Sequence, residues 1–266
     1  MVVSVVIGYA VLAVLMTVIW LEFRRINNAA IVDVGWGGGF VILGILYTAL
    51  GDGLLERRIL VGALMILWGG RLAWHLLRDR VLSGKPEDGR YQEIRARWKD
   101  GINTKFFLFF QSQALLVVLF SIPMLLVASN TASTIGGLEW ICVVIWLVGV
   151  VGESAADAQL KKFKDDPANK GKTCQAGLWK YSRHPNYFFE WVIWISFSLL
   201  AFGAPYGWIG LLSPIGMLYI LLRVTGVSLT EEHALRTRGE EYRTYQQTTS
   251  MFIPLPQRDL RKGVPG

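Results

Sequence analysis

The stretch MVVSVVIGYAVLAVLMTVIW, residues 1–20, holds no charged side chain. A helix needs about 20 apolar residues to cross the hydrocarbon core of a bilayer, and this run supplies them. It has no basic leading segment and no small-residue cleavage motif, so it reads as a retained first span rather than a signal peptide. Similar lengths of apolar sequence recur along the chain. The predicted spans are 2–22, 32–51, 59–77, 106–128, 138–156, 187–203 and 206–225. The expected fold is therefore an all-α integral membrane protein: one membrane domain over residues 1–266, built as a seven-transmembrane helix bundle. Composition agrees, with 266 residues, 53% hydrophobic, 11 tryptophans and a mean hydropathy of +0.39.

The connections between these runs alternate in charge. Arg24 and Arg25 follow the first. Arg78, Arg80, Lys85, Arg90, Arg95, Arg97, Lys99 and Lys105 follow the third, and seven cations from Lys161 to Arg183 follow the fifth. The segments 129–137 and 203–207 carry no charge at all. The positive-inside rule then predicts an outer N-terminus and a cytoplasmic C-terminus. GDGLLERR (51–58) departs from that rule with Arg57 and Arg58, partly balanced by Asp52 and Glu56. The net charge of +7 is thus a topology signal, not a nucleic-acid one. Cys142 and Cys174 form no disulfide framework, and no Cys/His spacing suggests a metal. Residues 78–105, 157–186 and 226–266 are too short to fold alone; they are expected as short cytoplasmic capping helices, with RKGVPG (261–266) frayed.

Ionisable groups inside spans cost roughly 2.5–3.5 kcal/mol near the bilayer centre, so each asks for a partner or a purpose. Trp68, Arg71, His75 and Arg78 fall on one stripe of the third span. Glu153, Asp157, Lys161 and Lys164 do so on the fifth. In YSRHPNYFFEW (181–191), Arg183, Asn186 and Glu190 share a face and Pro185 suits a first helical turn. Asp33 and Arg223 sit near inner ends of their spans. Convergence of these groups on one cytoplasm-facing cavity is the expectation. Guanidiniums, amides and carboxylates together suit an anionic cofactor with a hydroxylated sugar, such as a phosphorylated dinucleotide; an apolar cleft beside it suits a lipid. GWGGGF (35–40) lacks the GxGxxG spacing and reads as a helix-packing surface. Ser228 with Glu231 reads as a capping box, announcing a helix after the last span.

GLWKYSRHPNYFFEW (177–191), followed by EEHALRTRGEEYRTYQQTTSMFIP (231–254), resembles the C-terminal half of the steroid 5-alpha-reductase and sterol-reductase superfamily. EDGRY (87–91) is similar to a segment of that superfamily's branch of uncharacterised bacterial proteins. The resemblance spans about 30 to 256. It implies NADPH as cofactor, held by Arg71, Asp157, Lys164, Tyr181, Arg183, His184, Asn186, Glu190, Tyr242 and Tyr245. It implies a hydrophobic lipid or steroid substrate taken from the bilayer, and Asp33 at the substrate carbonyl. The tyrosine expected three residues before Arg71 is Trp68, which lines the expected substrate pocket but holds only a weak N–H donor. The implied location is the bacterial inner membrane.

Reduction of a C=C bond conjugated to a carbonyl needs a donor where negative charge builds. Asp33, if desolvation keeps it protonated, and His75 are the two catalytic candidates. RHPxY and the terminal E…Y…Y…P pattern are also similar to isoprenylcysteine carboxyl methyltransferases and phospholipid methyltransferases, which use S-adenosylmethionine. That cofactor is the alternative; it carries no phosphate, so the dense cations at 71–105 and 161–183 favour the nucleotide. A non-catalytic lipid-binding scaffold is a third reading.

Overall fold

A computed structural model describes residues 1–258 except Lys85, Lys99 and Thr225; these two lysines and the RKGVPG tail lie outside the described residues. Regular structure among the described residues is helical, with one isolated bridge between Ser182 and Ser250. Six helical stretches are long and apolar enough to cross a membrane: Val2–Ile26, Ile31–Leu50, Leu55–Val81, Ile102–Phe120, Gly137–Asp165 and Gly207–Arg238. They mark an integral membrane protein. The expected span at 187–203 is a helix, Pro185–Ala201, of 17 residues. The run at 106–128 breaks at Ser121, because Pro123 has no N–H to continue the ladder.

The chain divides into two units. The first comprises Met1–Glu139 and Phe197–Ser213. It contains α1 (Val2–Ile26), α2 (Ile31–Leu50), α3 (Leu55–Leu76, continued by a π-turn, Leu77–Val81), α4 (Gly89–Arg97), α5 (Ile102–Phe120) and α6 (Ile122–Ala128). Glycines decide how α2 meets α3. A Cβ on Gly37 would lie 2.8 Å from the Ala73 nitrogen and Gly69 oxygen, and one on Gly69 would lie 2.7 Å from the Gly37 oxygen. One turn-pair further along, Gly44 and Gly62 repeat the approach. GWGGGF is thus part of a backbone-to-backbone seam. Across the bundle, Phe23 of α1 packs on Phe106 and Phe110 of α5. Tyr47 bonds Ser121 at the α5–α6 break (2.7 Å).

Arg57, an exception to the charge pattern, is not balanced by Asp52 or Glu56. It is 2% exposed and pairs with Glu139 (3.1 Å). It also donates to the carbonyls of Asn130, Ala132 and Thr134. A buried guanidinium is tolerable only when so partnered, and here it fastens the uncharged 129–137 connection.

The second unit comprises Trp140–Ser196 and Pro214–Gly266. It holds most of α7 (Gly137–Asp165), α8 (Pro185–Ala201) and α9 (Leu212–Tyr219), then α10 (Val227–Arg238) and α11 (Glu240–Thr248). Gly149 and Gly152 of α7 leave room for Ile193 and Phe189 of α8. The Ser196 hydroxyl donates to the Cys142 carbonyl (2.8 Å). Ser228 does not form the expected capping box. Its hydroxyl donates back to the Leu222 carbonyl, and Gly226 occupies the N-cap of α10. Glu231 is used elsewhere.

Candidate functional site

In the second unit the motif RHPNY is held by a clamp. The Arg183 Nε donates to Glu231 (2.6 Å) and Nη2 reaches the same carboxylate at 3.3 Å. Its Nη1 donates to the carbonyls of Gln246 (2.9 Å) and Thr249 (2.7 Å). These carbonyls end α11, where cationic donors are favoured. Glu231 also meets the His184 ring at 3.1 Å and accepts from Gln246 (2.8 Å). Burial holds the His184 imidazole below its ordinary pKa, against the pull of Glu231. The Ser182 hydroxyl accepts from the His184 N–H, a local turn that delivers Pro185 to the first turn of α8. Tyr245 donates to the Trp179 carbonyl (2.5 Å) and packs against Tyr242. Both phenols are buried, which pushes them above the ordinary range.

Four of the residues expected to touch a cofactor, Arg183, His184, Tyr242 and Tyr245, are therefore committed to protein groups. The others differ. Asn186 donates to Asp157 (3.3 Å), joining the first turn of α8 to the end of the apolar part of α7. Asp157, Asn186 and Glu190 are half-buried, and Lys164 and Tyr181 are exposed.

Trp68, Arg71, His75 and Asp33 belong to the first unit. Trp68 is fully buried between Phe40 (5.2 Å) and Phe197 (6.1 Å), a core position. Arg71 and His75 are half-buried on the same helix. Asp33 is the centre of an ionic network. It accepts from Arg80, Arg90 (2.9 Å) and the Tyr91 hydroxyl (2.6 Å). Asp88 caps α4 through the Arg90 N–H (3.0 Å). Burial would raise the Asp88 carboxyl, but Arg90 and Arg80 overcome this and lower it to about 2. Glu87 accepts from the Ala29 N–H (2.6 Å) and Arg95 (2.7 Å), and Asn28 donates to the Arg80 carbonyl (3.0 Å). The network ties EDGRY to the α1–α2 turn.

Asp33 was expected as a protonated acid. Two guanidiniums and the Tyr91 hydroxyl all donate to it, so here it is an acceptor. Burial and the Asp33 charge push that phenol well above its ordinary pKa, so it stays neutral. Tyr91 escapes sequence reasoning because its partner is 58 residues away. EDGRY was visible as a segment, but nothing in its spacing names Asp33. Among the described residues no group of three or more His, Cys, Asp or Glu is placed to hold a metal ion.

A family model described as a protein of unknown function, DUF1295, matches residues 19–249. The chain belongs to the DUF1295 family. The match takes in the Asp33–Tyr91 network and the Arg183–Glu231 clamp alike, so both lie in the family's common region. An uncharacterized protein of Schizosaccharomyces pombe is 26% identical over 283 aligned residues, covering 94% of this chain and 79% of the relative. A probable O-methyltransferase of Ustilaginoidea virens is 43% identical over 60 residues, 23% of this DUF1295 chain and 21% of that protein. No solved structure matches the chain.

Proposed function

We propose that this chain is a membrane-embedded, NADPH-dependent reductase of a C=C bond in a steroid, sterol or other lipid. In this reading it resembles a 3-oxo-5-alpha-steroid 4-dehydrogenase, sits in a bacterial inner membrane with its N-terminus outside, and works at the cytoplasmic face. The observation that carries the reading is the Tyr91–Asp33 pair. Reduction of a conjugated double bond needs a neutral proton donor in a water-poor place, and a buried phenol fixed by a carboxylate is one. Methyl transfer has no such need. Kinship of the DUF1295 family with the steroid 5-alpha-reductase-like group supports the same reading.

The residues present fit the cofactor. Asp157 and Asn186 offer an acceptor and a donor for ribose or carboxamide groups. Lys164, exposed at the end of α7, offers a cation for phosphate, while the Arg183 clamp holds the α8 first turn in place. Bound NADPH supplies a hydride to the electron-poor carbon. Within the first unit, Tyr91 is the group that can meet charge left on a substrate oxygen, by turning its single O–H from Asp33 to that oxygen and giving up the proton. A preorganised donor of this kind contributes about 3–4 kcal/mol. Asp33 orients the phenol, and Arg80 and Arg90 hold the Asp33 carboxylate in place. His75 is a second candidate donor.

A methyltransferase that uses S-adenosylmethionine is the second reading, favoured by the 60-residue similarity to the probable O-methyltransferase. Thermal melts of detergent-purified protein with NADPH, NADH or S-adenosylmethionine separate the two. At a hundredfold the dissociation constant the true cofactor stabilises by about 2.7 kcal/mol, or roughly 5–10 °C for a chain of this size. A shift with S-adenosylmethionine and none with NADPH replaces the reductase by the transferase.

A further inference from the structure

The stretch SMFIPLP (250–256) leaves the helices of the second unit and runs along residues 181–183. The Arg183 N–H donates to the Ser250 carbonyl (2.9 Å) and the Leu255 N–H to the Tyr181 carbonyl (3.0 Å). The Ser182 hydroxyl donates to the Phe252 carbonyl (2.8 Å). Phe252 turns inward onto Phe188 and Trp191, each at 5.8 Å. Its neighbours turn the other way: Met251 is 40% exposed, Ile253 53%, Leu255 50% and the adjoining Tyr181 43%. Four apolar or amphipathic side chains in one exposed strip call for a partner.

The height of the strip along α7 identifies that partner. Trp179 donates through its ring N–H to the Ala156 carbonyl (3.0 Å), and the Leu178 N–H donates to Gln159 (2.9 Å). Residues 178–181 therefore lie level with 156–159 of α7. On the N-terminal side of that level the exposed side chains of α7 are Trp140, Ile141, Val144, Leu147, Val148 and Val151. Beyond it they include Lys162 and Lys164. The outward surface of this membrane helix changes where the strip lies from apolar to charged (Lys162, Lys164, Asp165), the change expected at a bilayer boundary. Exposed Lys180 and Arg258 flank the strip.

We infer that residues 250–255, with Tyr181, form an interfacial anchor: Met251, Ile253 and Leu255 enter the acyl boundary of the bilayer, and Lys180 and Arg258 meet anionic phospholipid headgroups. The anchor adds an amphipathic contact in the membrane plane and seats the backbone that Arg183 and Ser182 grip. It does not depend on which reaction the chain performs.

The test uses full-length Ile253→Cys carrying an environment-sensitive fluorophore; Cys142 and Cys174 are buried, and unlabelled-site background is measured on the parent chain. The labelled protein is placed in nanodiscs of phosphatidylcholine alone or mixed with phosphatidylglycerol. A nitroxide-bearing phospholipid should quench the probe more strongly than aqueous iodide, and the bias should grow with phosphatidylglycerol. Lys180→Gln should reduce the inserted-to-exposed ratio roughly fivefold in the anionic discs and leave the neutral ones unchanged. Dominant iodide quenching in anionic discs overturns the inference. Protection from both quenchers, with energy transfer between labelled copies, assigns the strip to a second copy of the chain and also overturns it. Should Ile253→Cys not elute as folded protein, Leu255→Cys provides the same reading.

Discussion

Arg183 poses the sharpest test, because it is expected at the cofactor and the structure seats it in a clamp. Replacing it by Met keeps the stem and removes four hydrogen bonds, two to Glu231 and two to the carbonyls that end α11. Arg183 is 9% exposed and Glu231 13% exposed, so solvent replaces little of what is lost. Removing one partner of a buried pair costs about 3–5 kcal/mol, since the other charge stays buried. For a chain of this length that is a fall in Tm of roughly 10 °C. Pairing the change with Glu231→Gln should recover part of the loss, because the stranded charge is then gone. The assay is a melt of purified protein without any cofactor. Were Arg183 a phosphate ligand, Arg183→Met would melt like the parent alone and differ only with nucleotide present. That result would refute the clamp.

Three further outcomes follow. Gly37→Ala should destabilise by about 1–3 kcal/mol in the same melt, because its Cβ would strike α3 backbone at 2.8 Å; Gly38→Ala, with nothing within 4 Å, should be neutral or slightly stabilising. Under the reductase reading, Tyr91→Phe should lower turnover by about 10²–10⁴-fold while an NADPH-dependent melting shift survives, and unchanged turnover would remove Tyr91 from the reaction. Acid should destabilise in two stages. His184 has a folded pKa below its unfolded value of 6.5, so the unfolded chain binds the proton first and stability falls as pH drops below about 6.5. Asp88, about 2 when folded against 3.8, contributes up to about 2 kcal/mol that is present above pH 3.8 and lost as pH falls toward 2. A His184→Gln variant should lack the first stage, which a pH series of melts will show.

Which parts of this molecule the sequence discloses depends on the range of the interaction. Apolar length is local, so α1, α2 and α3 begin and end within about four residues of the expected limits, while α7 begins where expected but runs past 156 to Asp165, because the polar turns after the span stay helical. Gly37 is legible as a packing residue within GWGGGF; Gly44, Gly62 and Gly69 stand outside that motif and are found only when α2 is seen against α3. The break at Ser121 was legible from Pro123 and was passed over. Pairings across the chain were not legible. Arg57 finds Glu139 82 residues away, Arg183 finds Glu231 48 away, and Asp33 finds Tyr91 58 away. Arg183 and Asp33 look available in the sequence and Arg57 looks partly balanced by its neighbours Asp52 and Glu56, and a count of charges does not reveal which partner each one takes.

That distinction changes how a nucleotide would be held. Arg80, Arg90, Arg95 and Arg183 bond Asp33, Asp88, Glu87 and Glu231, four cations against four anions. Other cations contribute to the net charge of +7, and in the second unit Lys162, Lys170, Lys172 and Lys180 are exposed, as is Lys164. Lysines are hydrated point charges, without the planar fork that grips a phosphate in two places. Their attraction at an exposed surface is screened over about 10 Å at 0.1 M salt and about 3 Å at 1 M. Under the nucleotide reading, the NADPH-dependent melting shift should therefore shrink steeply between these two salt concentrations, and Lys164→Gln should flatten that dependence. S-adenosylmethionine has no phosphate, and a shift caused by it should hardly move with salt. An NADPH shift equal at both concentrations would show that the lysines do not carry the phosphates, and that a shielded guanidinium does.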